Sequence, residues 1–284
     1  MPDLNSVVPA SLLSALHAEA MRTGETASSV VTAALAQYLG TPIHTLFQVS
    51  TSGALVAGIY SGVVSVQSIL KHGDFGLGTF ANLDGEMVVL DGRAYQVQGS
   101  GKVSKAASGA AAPFAVVTRF DPQVDVRTAA VASIAALGKC CDEHRISDNL
   151  FYAIRLDGHF ERVRSRAVSP PGDHARLIDA AKAQAEFTFA DIGGTLVGLW
   201  SPSFSGTFSI PGYHFHFLSD DRKHGGHLLD CSAGALRLRI EALTDFHLAL
   251  PENEAFLRAD LSRNTADELA YAEQAHQGDR RNGT

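Results

Sequence analysis

A chain of 284 residues that is 45% hydrophobic and 19% charged has ordinary globular composition, which excludes a disordered polymer and leaves room for one large domain or two modest ones. Its formal net charge of −7 argues against broad nucleic-acid binding, which needs a basic surface, and favours solubility. Three cysteines, two of them adjacent at Cys140 and Cys141, make neither a disulfide framework nor a paired thiolate metal site. The opening MPDLNSVVPASLL lacks a basic start followed by a long apolar run, and no apolar stretch is long enough to span a bilayer. A cytoplasmic protein with no membrane partner is the expectation.

Leu12, Leu13, Leu16 and Ala20 recur at helical spacing before Gly24 interrupts. A second helix follows with Val30, Val31, Ala34, Leu35 and Tyr38 on one side, Thr26 or Ser28 as its cap, and Gly40 at its end. With a short apolar segment ahead of them, residues 1–40 loosely resemble the ribbon-helix-helix unit of small bacterial regulators. A strand that reads the major groove presents Arg, Lys, Asn or Gln. This segment instead carries one basic residue, Arg22, against Asp3, Glu19 and Glu25. An association arm is therefore expected, and no nucleic-acid partner.

From Thr45 the texture changes to short β-type runs separated by glycine: FQVSTSGALVAGIYSG, EMVVLDGRAYQV and PFAVVTRF. GSGKVSKAASGAAA reads as a flexible loop, and RTAAVASIAALGKCC as a helix packed on a sheet. FYAIRLDGHFERVRSRAV reads as a hairpin turning at Asp157-Gly158. The linker SPPGDH precedes a helix around ARLIDAAKAQ, strands at GTLVGLW, GYHFHFL and GGHLLDC, and a polar helical tail from Pro251. Strands mixed with helices, without a strict βαβ rhythm, predict an α+β fold. The expected divisions are an extension over residues 1–40, a β-rich lobe over 41–170 and a second lobe over 171–284, with mixed or antiparallel sheets and packed helices.

In Tyr213-His214-Phe215-His216-Phe217 the alternation puts both histidines on one strand face and the aromatics on the other. The segment SDDRKHGG turns the chain back, and His227 begins the next apolar run. Three neutral imidazoles converging in this way hold a divalent ion and leave a position open, the pattern of a catalytic zinc rather than a structural one. His224, in the turn, competes for the third place. The spacing alone does not choose among a hydrolase, an oxygenase or another metal-assisted reaction. A cupin would supply a glutamate shortly after His-x-His, where this chain offers Asp220 and Asp221.

Together HGDFGLGTFANLDGE, FYAIRLDGHFERVRSRAV, GTLVGLWSP and GYHFHFLSDDRKHGGHLLDC resemble the acetolactate decarboxylase family, in the family's order, from about residue 45 to the end. The resemblance implies a metal held by His214, His216 and His227, zinc or another divalent ion. It also implies an active-site glutamate at Glu86, a threonine at Thr79 and an arginine at Arg166, with Arg164 as the competing position. A further glutamate from the tail matches Glu273 best and Glu268 second. The implied substrate is acetolactate, losing CO2 to give (R)-acetoin through an enediolate. Arg166 would hold the carboxylate and Glu86 would donate the proton, a role suited to a carboxyl in a dry pocket. Because Glu86 and Arg166 precede residue 170 and the histidines follow it, the site is expected in a cleft between two β-rich lobes. The chain is expected to form a homodimer or higher homo-oligomer. The rival readings are another three-histidine hydrolase or oxygenase, and a metabolite-sensing regulator that uses the N-terminal unit.

Overall fold

The structure, a computed structural model, describes residues 6–40, 43–170, 177, 184–263 and 268–269. The chain divides into two units, Met1–Ile43 and His44–Thr284.

The first unit is a helix pair, α1 (Ala10–Thr23) and α2 (Ala27–Leu39). Thr26 caps α2, its hydroxyl accepting from the Ser29 amide at 3.0 Å. Neither helix has a buried residue, and Leu12, Leu13, Val31 and Leu35 stay exposed. Residues 6–9 are not in a strand, and residues 1–5, where the rest of the apolar segment lies, fall outside the described residues.

In the second unit the strands run β1 (Thr45–Val49), β2 (Val64–Ser65), β3 (Phe75–Thr79), β4 (Glu86–Leu90), β5 (Arg93–Val97), β6 (Val103–Lys105), β7 (Ala111–Ala112) and β8 (Phe114–Thr118). They continue as β9 (Val124–Arg127), β10 (Phe151–Ala167), β11 (Ala185–Ser201), β12 (Gly212–Ser219), β13 (Gly225–Ala233), β14 (Arg237–Leu243) and β15 (Asp245–Ala249). Short helices α3 (Ser52–Val56), α4 (Val66–Ile69), α5 (Ile134–Asp142) and α6 (Glu254–Arg258) lie between and after them. The fold is α+β, as expected. One sheet has seven strands in the order β15-β1-β8-β3-β4-β5-β6, antiparallel except for β1 with β15. The other has six, β11-β12-β13-β10-β14-β9, and β10 also pairs with β11, so the ladder through β10, β11, β12 and β13 closes on itself.

Two-sided burial explains this layering. In β4, Val88 and Leu90 pack into a core shared with Leu199 and Leu218 of the second sheet. Met87 and Val89 pack on the opposite face with Val66 and Ile69 of α4. A third core lies on the far side of the second sheet, where Phe160, Val163 and Phe217 meet Leu137 and Cys141 of α5.

Several expectations are corrected. The Asp157-Gly158 turn does not exist: β10 is one strand of 17 residues, and Asp157 and Gly158 pair in register with Thr195 and Gly194. The Asp157 carboxylate is occupied instead by Arg239 at 2.6 Å, Thr195 at 2.9 Å and Arg155 at 3.0 Å. A Cβ at Gly158 would stand 2.7 Å from the Leu236 side chain, so the glycine serves close packing. The small-residue stretch after Gln98 holds β6 and β7, because Val103 and Ala112 reach the cores. The run after β1 is not extended: Thr51 caps α3, accepting from the Ala54 amide at 3.1 Å. Nor do the sheets part near residue 170, since β9 and β10 belong to the second sheet and β15 to the first. Phe246 of β15 packs 5.0 Å from Phe151 in the core between the sheets, which draws that strand across. The helix expected around ARLIDAAKAQ lies outside the described residues except at Leu177 and Gln184.

Candidate active site

The rows of side chains that face the core between the two sheets also supply the site. On β3 the row Phe75, Leu77 ends at Thr79, and on β4 the row Leu90, Val88 ends at Glu86. On β12, Leu218 shares its row with His216 and His214, while Phe215 and Phe217 pack on the opposite face. His227 of β13 pairs directly with His216. A Cβ at Gly226 would stand 2.5 Å from the Arg166 carbonyl, so only glycine lets β13 come this close to β10 just before His227.

Arg166 reaches the same face through an irregularity in β10. Ala153 faces the core between the sheets and Phe160 the outer one, but odd-numbered Val163 also faces the outer core. The change occurs at Glu161, which is unmatched where the pairing with β13 passes from Phe160 to Arg162. One extra residue exchanges the two faces of a strand, so the even-numbered Arg166 turns inward.

The three imidazoles converge. Nε2 of His214 is 3.2 Å from Nε2 of His216 and 3.1 Å from Nδ1 of His227, and one nitrogen from each lies within 4.8 Å of the others. His216 Nδ1 donates to the Met87 carbonyl at 2.8 Å, which leaves Nε2 with its lone pair toward the cluster. Burial, with the charge of Arg166 in second place, lowers the His214 pKa to about 3. Burial, His214 and Arg166 lower that of His216 well below its ordinary value. The rings of His214 and His216 are therefore neutral donors. Two imidazole nitrogens at about 2.0–2.1 Å from a tetrahedral ion stand about 3.3 Å apart, and the two separations from His214 fit such an ion.

Glu86 is buried, with Oε2 3.7 Å from His216 Nε2 and Oε1 accepting from the Val168 amide at 3.3 Å. Thr79 is buried and donates to the Gly85 carbonyl at 2.9 Å, fixing the turn that delivers Glu86. Arg166 is buried, and its Nη1 donates to Gln184 Oε1 at 3.0 Å. Thr79, Glu86, Arg166, Gln184 and the three histidines line one cavity. Leu55, Leu83, Phe114, Leu177 and Ile210 form its apolar wall.

Residues 46–263 match the family described as alpha-acetolactate decarboxylase. The chain belongs to that family. It is 40% identical over 241 residues to the alpha-acetolactate decarboxylase of Methylococcus capsulatus, covering 83% of this chain and 91% of that one. Identity to the Methanosarcina mazei enzyme of the same name is 37% over 229 residues, 80% of each chain. The crystal structure of the Bacillus subtilis alpha-acetolactate decarboxylase superposes with a TM-score of 0.79 at 33% identity, over 81% of this chain and all of that one. The helix pair of residues 10–39 lies outside the matched family segment.

Of the competing positions, Arg164 is not among the cavity-lining residues, and His224 is exposed with its ring 4.8 Å from that of Phe189. Glu268 borders a different cavity beside Gly53 and Arg263. Glu273 lies outside the described residues. Sequence reasoning missed Gln184, the Met87 carbonyl and the extra residue at Glu161. A backbone acceptor has no sequence signature. The one trace of the irregularity is that Val163 breaks the alternation set by Tyr152, Ile154 and Leu156.

Proposed function

We propose that this chain decarboxylates 2-acetolactate to (R)-acetoin and CO2, with His214, His216 and His227 holding zinc or another divalent ion. The observation that carries this reading is the convergence, in a member of the family, of three imidazoles, a buried carboxyl and a buried guanidinium on one cavity. The ion supplies Lewis-acid stabilisation of negative charge that develops on the substrate oxygens.

The residues of the chain supply the rest. Arg166 binds the substrate carboxylate by paired N–H donation. When the bond to that carboxylate breaks, its electron pair moves toward the neighbouring carbonyl, leaving CO2 and an enediolate. Glu86 then gives a proton to one face of the former carboxylate-bearing carbon, which sets the product's hand. Thr79 acts through the Gly85 carbonyl to hold Glu86 in place. Leu55, Leu83, Phe114 and Ile210 exclude water and receive the methyl groups. Glu273 is a further candidate from the tail.

The enzyme is assigned to the cytoplasm. Cys140, Cys141 and Cys231 are all free thiols, which suits a reducing compartment. Among the described residues no helix is long and apolar enough to cross a membrane. The partners proposed are the small-molecule substrate and further copies of the chain, with residues 1–40 as an association arm in a homodimer or higher oligomer. The exposed Leu12, Leu13, Val31 and Leu35 support that role.

The deciding experiment supplies racemic acetolactate with and without a chelator and reads the product's chirality. One acetoin enantiomer, lost with chelator and restored by zinc, is the expected result. Folded, metal-replete protein that makes no acetoin would overturn the proposal.

A further inference from the structure

One residue that touches the Arg166 guanidinium from the cavity wall is a neutral amide. Gln184 immediately precedes β11, and its Oε1 accepts from Arg166 Nη1 at 3.0 Å. It lines the same cavity as Arg166, Glu86 and the histidines. Arg166 is 4% exposed and stands opposite Glu186 in the ladder, so backbone pairing already fixes where its side chain begins. What the ladder leaves open is the far end of a long, rotatable side chain, and Gln184 takes hold of that end.

We infer that Gln184 is a positioning residue for Arg166, and that its neutrality makes residue 184 a determinant of selectivity for anionic substrates over neutral ones. A glutamate there would keep the accepting oxygen and nearly the same volume. It would also add a negative charge beside the guanidinium, in a part-buried setting where water screens it less than at the open surface. The amide directs the guanidinium without that repulsion of an incoming carboxylate. Its Nε2 retains two N–H donors, so the side chain adds no acceptor-only group to the substrate's surroundings. This inference rests on the reading of Arg166 as the carboxylate's binding group.

Selectivity separates this role from a structural one. Two probes are used with holoenzyme: 2-hydroxy-2-methylpropanoate, an anion without the ketone that decarboxylation needs, and neutral acetoin. Both are scored as inhibitors of acetolactate turnover. For Gln184→Glu we expect the inhibition constant of the anion and the KM for acetolactate to rise at least about tenfold, each 1.4 kcal/mol being a factor of ten. The inhibition constant of acetoin and the zinc content should stay within about twofold, because neither depends on the added charge. Gln184→Met, which removes the acceptor and adds no charge, should raise the anion's constant less than Gln184→Glu does. Equal weakening of both probes in Gln184→Glu, or no weakening of the anion, overturns the inference. Arg166→Gln is the control for the reading beneath it. If that change leaves the anion's constant unaltered, the assignment of Arg166 itself fails. If it weakens the anion while Gln184→Glu does not, only the role of Gln184 fails.

Discussion

On the second-sheet wall of the cavity, His214, His216, His227 and Arg166 stand on strands paired along their length, with His216 directly opposite His227 and Arg166 opposite His227 on the other side. On the first-sheet wall, Thr79 and Glu86 sit where β3 stops and β4 starts, flanking the turn through Gly85. A ladder fixes the spacing of its side chains to a few tenths of an ångström, as an ion requires of its ligands. Glu86 is paired within the first sheet, to Thr79 and Val97, so its carboxyl meets the cluster from a different sheet than the strands that carry the histidines. The two walls meet where the Met87 carbonyl accepts from His216. On the proposed roles, the wall that would hold the ion and the wall that would donate the proton are distinct, and substitutions should separate them.

The largest expected effect is on the holding wall. His216→Ala removes a central donor and should abolish bound metal and activity together, a loss on the order of 10³-fold or more. Metal analysis and acetoin assay on the same preparation check it. A variant that lost activity but kept stoichiometric metal would place the ion elsewhere. On the donating wall, Glu86→Gln should keep the metal while slowing turnover roughly 10²–10⁴-fold. Normal turnover with unchanged product chirality would remove Glu86 from the proton-donor role and break the division between the walls.

The histidines of the holding wall were the most legible part of the site in the sequence, for a physical reason. Period-two alternation shows His214 and His216 on one face without any structure, and the short turn brings His227 back against them. Glu86, Thr79 and Arg166 have no such period. Their assignment came from family blocks, and the structure gathers them on one cavity. The direction of Arg166 depends on the extra residue at Glu161, which exchanges the strand's faces through pairing with β13, a segment some seventy residues away. Asp157-Gly158 misled because turn chemistry is local, whereas β11 and β14 flank that dipeptide on both edges and make strand pairing the better state. Gln184 lies at a strand start with no motif around it, and only its contact with Arg166 marks it.

The smallest effect tests how the walls are tied away from the cavity. His44, just before β1 of the first sheet, donates through Nδ1 to Glu241 on β14 of the second at 3.0 Å. Glu241 also accepts from the Asp121 amide, and Asp121 and Asp245 add negative charge around His44. The hydrogen bond to Glu241 holds the His44 pKa above its ordinary value, with burial opposing. Burial raises the pKa of Glu241 despite His44 and the Asp121 amide. Both groups thus bind protons more tightly in the folded chain, and both shifts carry the same sign. For His44 the stabilisation is complete below the unfolded value of about 6.5 and is lost as pH rises through the folded value. His44→Gln should therefore lower Tm by about 2–4 °C at pH 6, from a half-buried bond contributing about 1 kcal/mol, and by less at pH 9. Thermal unfolding of both proteins at the two pH values measures it. A deficit that stays constant, or grows with pH, would mean that packing alone holds the two sheets together at this point.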